Sequence, residues 1–320
     1  MKISLVVPAY NEEEMIDIFL GATEPIVAAT GLDYEFVFVN DGSADNTLSI
    51  LRERAAKNRH IRIVDLARNF GKEAALTAGL KVASGDAVIP MDCDLQDPPE
   101  LITEFVRLWR EEGYDVVYGE RRLRDTDGFL KRSLALGFYR VFNMIAETKI
   151  PYNTGDYRLM DRKVVDAVLS LPENTRFMKG LFAWVGYRQA AVLYDRPERA
   201  AGDTKWASAG LWRLAFDGIT SFSTAPLRLS LYVGVAISGL SFLYAIYIVA
   251  HTLITGVDVP GYASLLTIIL FLGGIQLLSL GLIGEYVGRL YMEAKRRPIY
   301  LIRSVEGGEA DGAEDNSPNA

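Results

Sequence analysis

Along the first 120 or so residues, short apolar runs alternate with longer stretches whose apolar positions recur at helical spacing. Ile3–Val7 predicts a buried strand ending at Pro8-Ala9-Tyr10-Asn11. Asn11 there suits a helix N-cap, and Glu12, Glu13 and Glu14 favour the positive end of the helix dipole. Tyr34–Val39 predicts a second strand, closed by Asn40-Asp41-Gly42-Ser43, with Asp45 capping a helix to about Ala56. Ile61–Asp65 is a third strand, followed by a helix to about Ala83. Ala87–Ile89 is a fourth, followed by a helix over Pro98–Glu111, and Tyr114–Tyr118 is a fifth. Strands alternating with helices of this length predict a mostly parallel, doubly wound α/β sheet.

Ligands of such sheets bind beyond the carboxyl ends of the strands. Four polar clusters stand there: Tyr10-Asn11-Glu12, Asp41-Gly42-Ser43, Asp92-Cys93-Asp94 and Gly119-Glu120-Arg121. Residues i and i+2 of a strand share a face, so Asp92 and Asp94 are expected to aim at one point. Two such carboxylates suit a hard divalent cation that also binds substrate phosphates. An isolated pair of this kind is weakly specific, and Asp97-Pro98-Pro99-Glu100 is also a good helix start; the position in the sheet gives the pair its weight. No G-x-G-x-x-G follows the first strand and no G-x-x-x-x-G-K-[ST] occurs anywhere, which disfavours a dinucleotide dehydrogenase or a P-loop NTPase.

Further along, Leu130, Leu134, Phe138, Val141, Phe142 and Ile145 predict an amphipathic helix over Phe129–Ala146. Asn153–Arg158 reads as a loop leading into a helix over Arg162–Leu171, and Gln189–Tyr194 as a late strand before the polar loop Arg196–Lys205. From Trp206, Trp212, Phe216, Ile219 and Phe222 recur at helical spacing, which fits a membrane interface and an ordinary packed helix about equally. Leu229–Ile254 and Tyr262–Gly284 both exceed the roughly 20 apolar residues that cross a bilayer. Their connector, Thr255–Gly261, has no Lys or Arg, whereas Arg228 precedes the first and Arg289, Lys295, Arg296 and Arg297 follow the second. The positive-inside rule then puts both termini in the cytoplasm, on a multi-pass protein of the inner or plasma membrane. The expected organisation is a catalytic domain over 1–205, an interfacial helix over 206–226, two transmembrane helices within 227–290, and a tail over 291–320, disordered after about 303.

Composition adds exclusions. The net charge is −7, but Ser304–Ala320 holds five acids and no Lys or Arg, so the rest of the chain carries only −2. A near-neutral body without a basic block gives no support to a nucleic-acid partner. The single cysteine, Cys93, excludes an internal disulfide and fits a reducing compartment. No signal peptide is expected, because Pro8 and Glu12–Glu14 cut the first apolar run short.

In order and spacing, several motifs together resemble the polyprenyl-phosphate glycosyltransferases of glycosyltransferase family 2, a group that includes dolichol-phosphate mannose synthase and the bactoprenol glucosyltransferases. They are Val7-Pro8-Ala9-Tyr10-Asn11-Glu12, Asn40-Asp41-Gly42-Ser43, Arg68-Asn69-Phe70-Gly71-Lys72, Asp92 to Pro99, Asn153 to Arg158, Arg176-Phe177 and the two spans. The resemblance covers about residues 1–300 and implies a GT-A sheet, Rossmann-like and mostly parallel. It also implies that Pro8, Tyr10, Glu12 and Asp41 hold the base and ribose of a nucleotide sugar, with Asp92 at its diphosphate. Asp94, with Asp92, would hold Mg²⁺ or Mn²⁺, and Gln96 would lie near the metal and the acceptor phosphate. Asp156 would lie near the sugar, whose hydroxyls are read by loops around Asp156 and Arg176. Arg121, Arg132 and Lys205 would contact the phosphate of a polyprenyl lipid. A homo-oligomer is the family's habit, and Gly234, Gly239, Gly273 and Gly274 in the spans allow close helix packing.

The acceptor chemistry can be argued from the residues as well. A sugar hydroxyl needs a general base, usually His, and this chain has only His60 and His251. A phosphate monoester, with a second pKa of about 6, is already anionic and needs positioning and positive charge instead. Arg121, Arg122, Arg124, Lys131 and Arg132 supply that charge. The activity that the resemblance implies, and with which this chemistry agrees, is an inverting transfer of one sugar, glucose from UDP-glucose, to undecaprenyl phosphate. The alternatives are another donor of the GDP-mannose or UDP-aminoarabinose type, a processive synthase, and a non-enzymatic membrane scaffold or flipping partner. The synthase is disfavoured because Q-x-x-R-W is absent, and the scaffold because the site acids and arginines are intact.

Overall fold

The computed structural model describes residues 1–122, 154–173, 176, 178–195, 224–255 and 261–308. Its centre is one eight-stranded sheet in the order β7-β5-β6-β4-β1-β2-β3-β8. β1 (Lys2–Ala9), β2 (Asp33–Asn40), β3 (Ile61–Leu66) and β4 (Ala87–Pro90) run parallel. α1 (Ile16–Ala29), α2 (Thr47–Ala55) and α3 (Lys72–Val82) form the crossovers between them. α4 (Leu101–Glu112) leads from β4 to β5 (Val116–Arg121).

Both faces of these strands are apolar, as a doubly covered sheet requires. Ile3, Leu5, Val7, Phe36 and Phe38 pack on one side with Phe19, Ile102 and Phe105 from α1 and α4. Val6, Val37, Val39 and Val64 pack on the other with Leu76 and Leu80 from α3. The mostly parallel α/β expectation holds, and the first helix starts later than expected. Asn11 sits at φ 53°, in the left-handed region, and α1 begins only at Ile16. Instead of capping the helix, Asn11 accepts from the Ala44 N–H at 2.8 Å while its own N–H donates to Ser43 Oγ at 3.0 Å. The loops after β1 and β2 are thus sewn together.

Two strands overturn loop or tail assignments. β6 (Thr154–Asp161) occupies the stretch read as a loop, and it inserts antiparallel between β4 and β5. β5 is therefore parallel to β4, and the start of β6 lies at the end of the sheet where β1, β2, β4 and β5 finish. Asp161 then caps α5 (Arg162–Ser170), accepting from the Lys163 N–H at 3.1 Å. α6 (Met178–Trp184) and β7 (Gln189–Tyr194), parallel to β5, complete that side.

The second correction concerns the acidic end. β8 (Ile302–Gly307) pairs antiparallel with β3 where disorder was expected. Arg52 makes a two-point contact with Glu306 at 2.8 and 2.7 Å, and Arg303 reaches the buried Asp65 at 2.9 Å. Edge pairing and these charge-assisted bonds outweigh the composition that suggested a free tail.

α7 (Ala225–Thr255) and α8 (Tyr262–Ala294) extend beyond the expected spans. Pro226–Ile248 and Phe271–Ala294 are long and apolar enough to cross a membrane, and the described residues bury neither of them. Ser230 donates to Ser279 at 3.0 Å, joining the two helices. The helices expected over Phe129–Ala146 and from Trp206 lie outside the described residues.

Candidate active site

The strand ends that carry the polar clusters converge. Pro90 ends β4 two residues before Asp92, so the shared-face argument for Asp92 and Asp94, which needs strand backbone, does not apply. The two aspartates lie in the following turn, where Leu95 takes a left-handed φ of 55°. Asp94 is buried and accepts from the Gln96 N–H at 3.1 Å. Asp92 turns to Lys72 at the start of α3, whose Nζ lies 2.7 and 2.8 Å from its two oxygens. The same ammonium reaches Asp156 Oδ2, at the start of β6, at 2.9 Å. Lys72 thus bridges two carboxylates, one in the turn after β4 and one in β6.

Burial acts against the charge on Asp156, but Lys72 and Lys179 outweigh it and pull its pKa down to about 2. Burial likewise opposes the Lys72 ammonium, and Asp156 and Asp92 together raise its pKa above the ordinary lysine range. Asp92 is pushed up, chiefly by burial. Behind Lys72, burial and the charge of Asp156 push Glu73 up to about 8. Asp156 Oδ1 and Glu73 Oε2 are buried and have no hydrogen-bond partner among the described residues, an unusual state for buried acceptors.

The remaining candidate residues take distinct places. Asp41 is buried and accepts from the Phe70 and Gly71 N–H groups at 2.7 and 2.9 Å, fixing the loop that presents Lys72. Gly42 makes that approach possible, since a Cβ on it would lie 2.5 Å from Asn69 N. Pro8 lies in β1, and Tyr10 and Glu12 follow it, with Tyr10 exposed and the Glu12 N–H donating to Thr47 Oγ1 at 2.9 Å. Arg121 ends β5, donating to Tyr194 Oη at 2.9 Å and lying 3.4 Å from Asp97, while Tyr194 donates to Asp97 at 2.6 Å. Gly155 leaves room for this guanidinium, because a Cβ there would meet Arg121 Nη2 at 2.9 Å. Arg176 donates to the Val168 and Leu171 carbonyls at 3.3 and 2.8 Å and closes the end of α5. Arg132 and Lys205 lie outside the described residues. Cys93 is buried, and its thiol is pushed up by that burial.

Sequence reasoning quoted Lys72 within a motif but gave it no role, and it missed Glu73, Lys179 and the Asp97–Tyr194 pair. Lys72 carried a usable signal, a lysine straight after a glycine in the loop between a strand and the next helix. The others depend on contacts that only the fold creates. For a divalent cation, Asp94 and Asp92 offer hard oxygen donors, and the unpartnered Asp156 Oδ1 belongs to the same cluster. Among the described residues no three His, Cys, Asp or Glu side chains form a chelating group, and an ion shared with substrate phosphates needs only one or two carboxylates. The donor set fits Mg²⁺ or Mn²⁺ held in that way.

A GT-A-like sheet with this acid–lysine cluster at its strand ends, followed by two apolar helices, is the frame of a membrane-associated sugar transferase. Residues 4–169 match the model for glycosyl transferase family 2, and residues 225–290 match that for the GtrB C-terminal hairpin. The chain belongs to glycosyl transferase family 2. It is 54% identical to an uncharacterized glycosyltransferase of Synechocystis sp. over 97% of both chains. It is 49% identical to the bactoprenol glucosyl transferase of Shigella phage SfII, over 96% of this chain and 99% of that one. It is 48% identical to a prophage bactoprenol glucosyl transferase homolog of Escherichia coli, over 96% and 100%. Among solved structures, glucosyl-3-phosphoglycerate synthase from Mycobacterium tuberculosis, in complex with Mn²⁺, UDP-glucose and phosphoglyceric acid, aligns with a TM-score of 0.45 at 22% identity, over 68% of this chain and 77% of that one.

Proposed function

We propose that this chain moves a single glucose, with inversion, from UDP-glucose to a polyprenyl phosphate such as undecaprenyl phosphate, at the cytoplasmic leaflet of a membrane that α7 and α8 cross. Both termini and the sheet domain lie on the cytoplasmic side, and the working form is a homo-oligomer. The observation that carries this reading is that similarity to bactoprenol glucosyl transferases runs through both the sheet and the terminal hairpin. Donor-site cluster and apolar helices therefore come as one unit.

Asp94 and Asp92 would hold Mg²⁺ or Mn²⁺, which when bound neutralises charge on the departing diphosphate. Pro8, Tyr10, Glu12 and Asp41 take the uridine end, and Gln96 lies beside Asp94. Lys72 holds Asp92 and Asp156 in place and favours the charged form of each, so that Asp156 presents a charged, preorganised oxygen to the sugar. The acceptor phosphate attacks the anomeric carbon as the bond to the diphosphate breaks, and one displacement inverts the configuration. It arrives already anionic, so no base is required. In agreement, His60 stacks on Tyr34 and bonds to its carbonyl, and His251 lies in α7. Arg121, held by Tyr194 and Asp97, supplies positive charge at the acceptor together with Arg132 and Lys205.

The test is transfer by purified protein with Mg²⁺, undecaprenyl phosphate and a panel of nucleotide sugars. Lipid-linked glucose from UDP-glucose alone is expected. Product only from GDP-mannose or a UDP-aminoarabinose type of donor would replace the donor assignment, and no product from any donor would end the enzyme reading.

A further inference from the structure

We infer that Tyr194 is a positioning residue of the transfer reaction: its hydroxyl ties Arg121 to the turn that carries Asp92 and Asp94, and so sets where the acceptor phosphate stands. The inference rests on the reaction proposed above. Tyr194 ends β7 and pairs with Arg121, the last residue of β5. Its carbonyl accepts from the Arg122 N–H at 2.9 Å, which fixes its backbone. The ring lies back along β5 over Gly119, where a Cβ would meet Tyr194 Cε1 at 2.8 Å. Gly119 and Arg121 are i and i+2 on one strand face, so the ring that covers the first carries its hydroxyl to the second. Tyr157 stands edge-on to this ring, with centroids 6.4 Å apart, and donates to the Pro98 carbonyl at 2.8 Å.

The hydroxyl works in both directions. It donates to Asp97 at 2.6 Å and accepts from Arg121 Nε at 2.9 Å, whereas the direct contact between Arg121 and Asp97 is long, at 3.4 Å. The tyrosine, rather than the carboxylate, is therefore the closer support of the guanidinium. Tyr194 and Asp97 are 5% and 3% exposed, against 27% for the Arg121 side chain. The supports are out of water, and the cation they hold is not. Burial and the charge of Asp97 raise the pKa of the Tyr194 hydroxyl, so it keeps the proton that it gives to Asp97.

A guanidinium presents its N–H donors in a rigid planar fork. Tyr194 takes the donor on Nε and Asp97 faces one on Nη2, while the Nη1 pair has no protein partner among the described residues. Nη2 also lies against β6 at the residue before Asp156, since a Cβ on Gly155 would be 2.9 Å from it. The open edge of the fork is thus held at the strand ends, and a fork fixed in this way suits two-point binding of a phosphate. Asp97 follows Asp94 by three residues in the chain, so one hydroxyl sets the acceptor cation relative to the donor carboxylates. A single displacement depends on that spacing, and a small misplacement of the reacting groups costs about 10²-fold in rate.

The experiment is steady-state transfer with wild type, Tyr194→Phe, Arg121→Ala and the double variant, varying undecaprenyl phosphate and UDP-glucose separately. Tyr194→Phe keeps the ring over Gly119 and removes only the bonds to Asp97 and Arg121. Its kcat/KM for the lipid should fall roughly 10- to 100-fold, with the KM for UDP-glucose within about twofold of wild type. UDP binding by calorimetry, unchanged in Tyr194→Phe, checks that the donor side is intact. In the Arg121→Ala background, loss of the hydroxyl should change the lipid constants little further, because the group that it positions is gone. Unchanged lipid constants in Tyr194→Phe, a loss that multiplies with that of Arg121→Ala, or weakened UDP binding would make the hydroxyl structural and overturn the inference. Wild-type lipid constants in Arg121→Ala, or a wild type that makes no lipid-linked sugar, would instead remove the acceptor reading on which it rests.

Discussion

Lys72 Nζ meets Asp156 Oδ2 at 2.9 Å and both oxygens of Asp92 within 2.8 Å, so one ammonium locks the start of α3 to the start of β6 and to the turn after β4. Three segments distant in sequence are fixed relative to one another by that group. Their geometry is set before any substrate arrives, which is the condition for electrostatic catalysis.

Lys72→Met should therefore damage both site and fold. The lysine and Asp92 are 40% and 38% exposed, so solvent screens the pair and the stability loss is about 1–2 kcal/mol. The KM for UDP-glucose should rise about tenfold or more. The acid limb is a second readout. The pKa of Asp156 is depressed to about 2 in the folded protein, so its contribution to stability is present above the unfolded value of about 3.9 and lost as pH falls towards 2. Without Lys72 the acid unfolding midpoint should move upward. An unchanged acid limb would show that the bridge does not hold Asp156.

Glu73 has the opposite sign. Its folded pKa is raised to about 8, so its stabilising contribution is complete below the unfolded value of about 4.3 and is lost as pH rises through 8. Wild-type protein should melt at a lower temperature at pH 9 than at pH 6, and Glu73→Gln should flatten this difference. Equal slopes in the two proteins would place the titration elsewhere.

Removal of β8 by truncation after Leu301 should lower the melting temperature and expose the β3 edge to association. Arg303→Ala alone should reproduce part of the loss, since among the described residues Asp65 then keeps its side-chain bond from Asn40, at 2.7 Å, and no other. A truncated protein with unchanged melting behaviour would mean that the strand contributes nothing to the sheet.

The contrast between what was and was not legible follows from these elements. Apolar runs such as Ile3–Val7 and Tyr34–Val39 announce strands because both faces of the sheet are covered, and their polar ends mark the site. β6 escaped because Thr154, Asp156 and Arg158 make its sequence look like a loop. Its strand conformation comes from the antiparallel slot between β4 and β5. β8 escaped because half of its residues face solvent and its neighbours are acidic. Asp94 and Asp156 could be picked out from the sequence as candidates, whereas the Lys72 bridge between Asp92 and Asp156 could not, because it requires β6 to be placed. Asn11 carries the same lesson in reverse: its residue type suits a helix cap, and the backbone of the neighbouring loop engages it instead.

The central claim is that Asp94, with Asp92, seats a divalent ion on the diphosphate of a nucleotide sugar, and the most direct measurement is the rate of lipid-linked glucose formation against Mg²⁺ or Mn²⁺ concentration for wild type and Asp94→Asn. The account predicts that a chelator abolishes wild-type turnover, that added metal restores it, and that Asp94→Asn is slower by roughly 10²- to 10³-fold at saturating metal. Turnover that persists in the chelator and is unchanged in Asp94→Asn would contradict it.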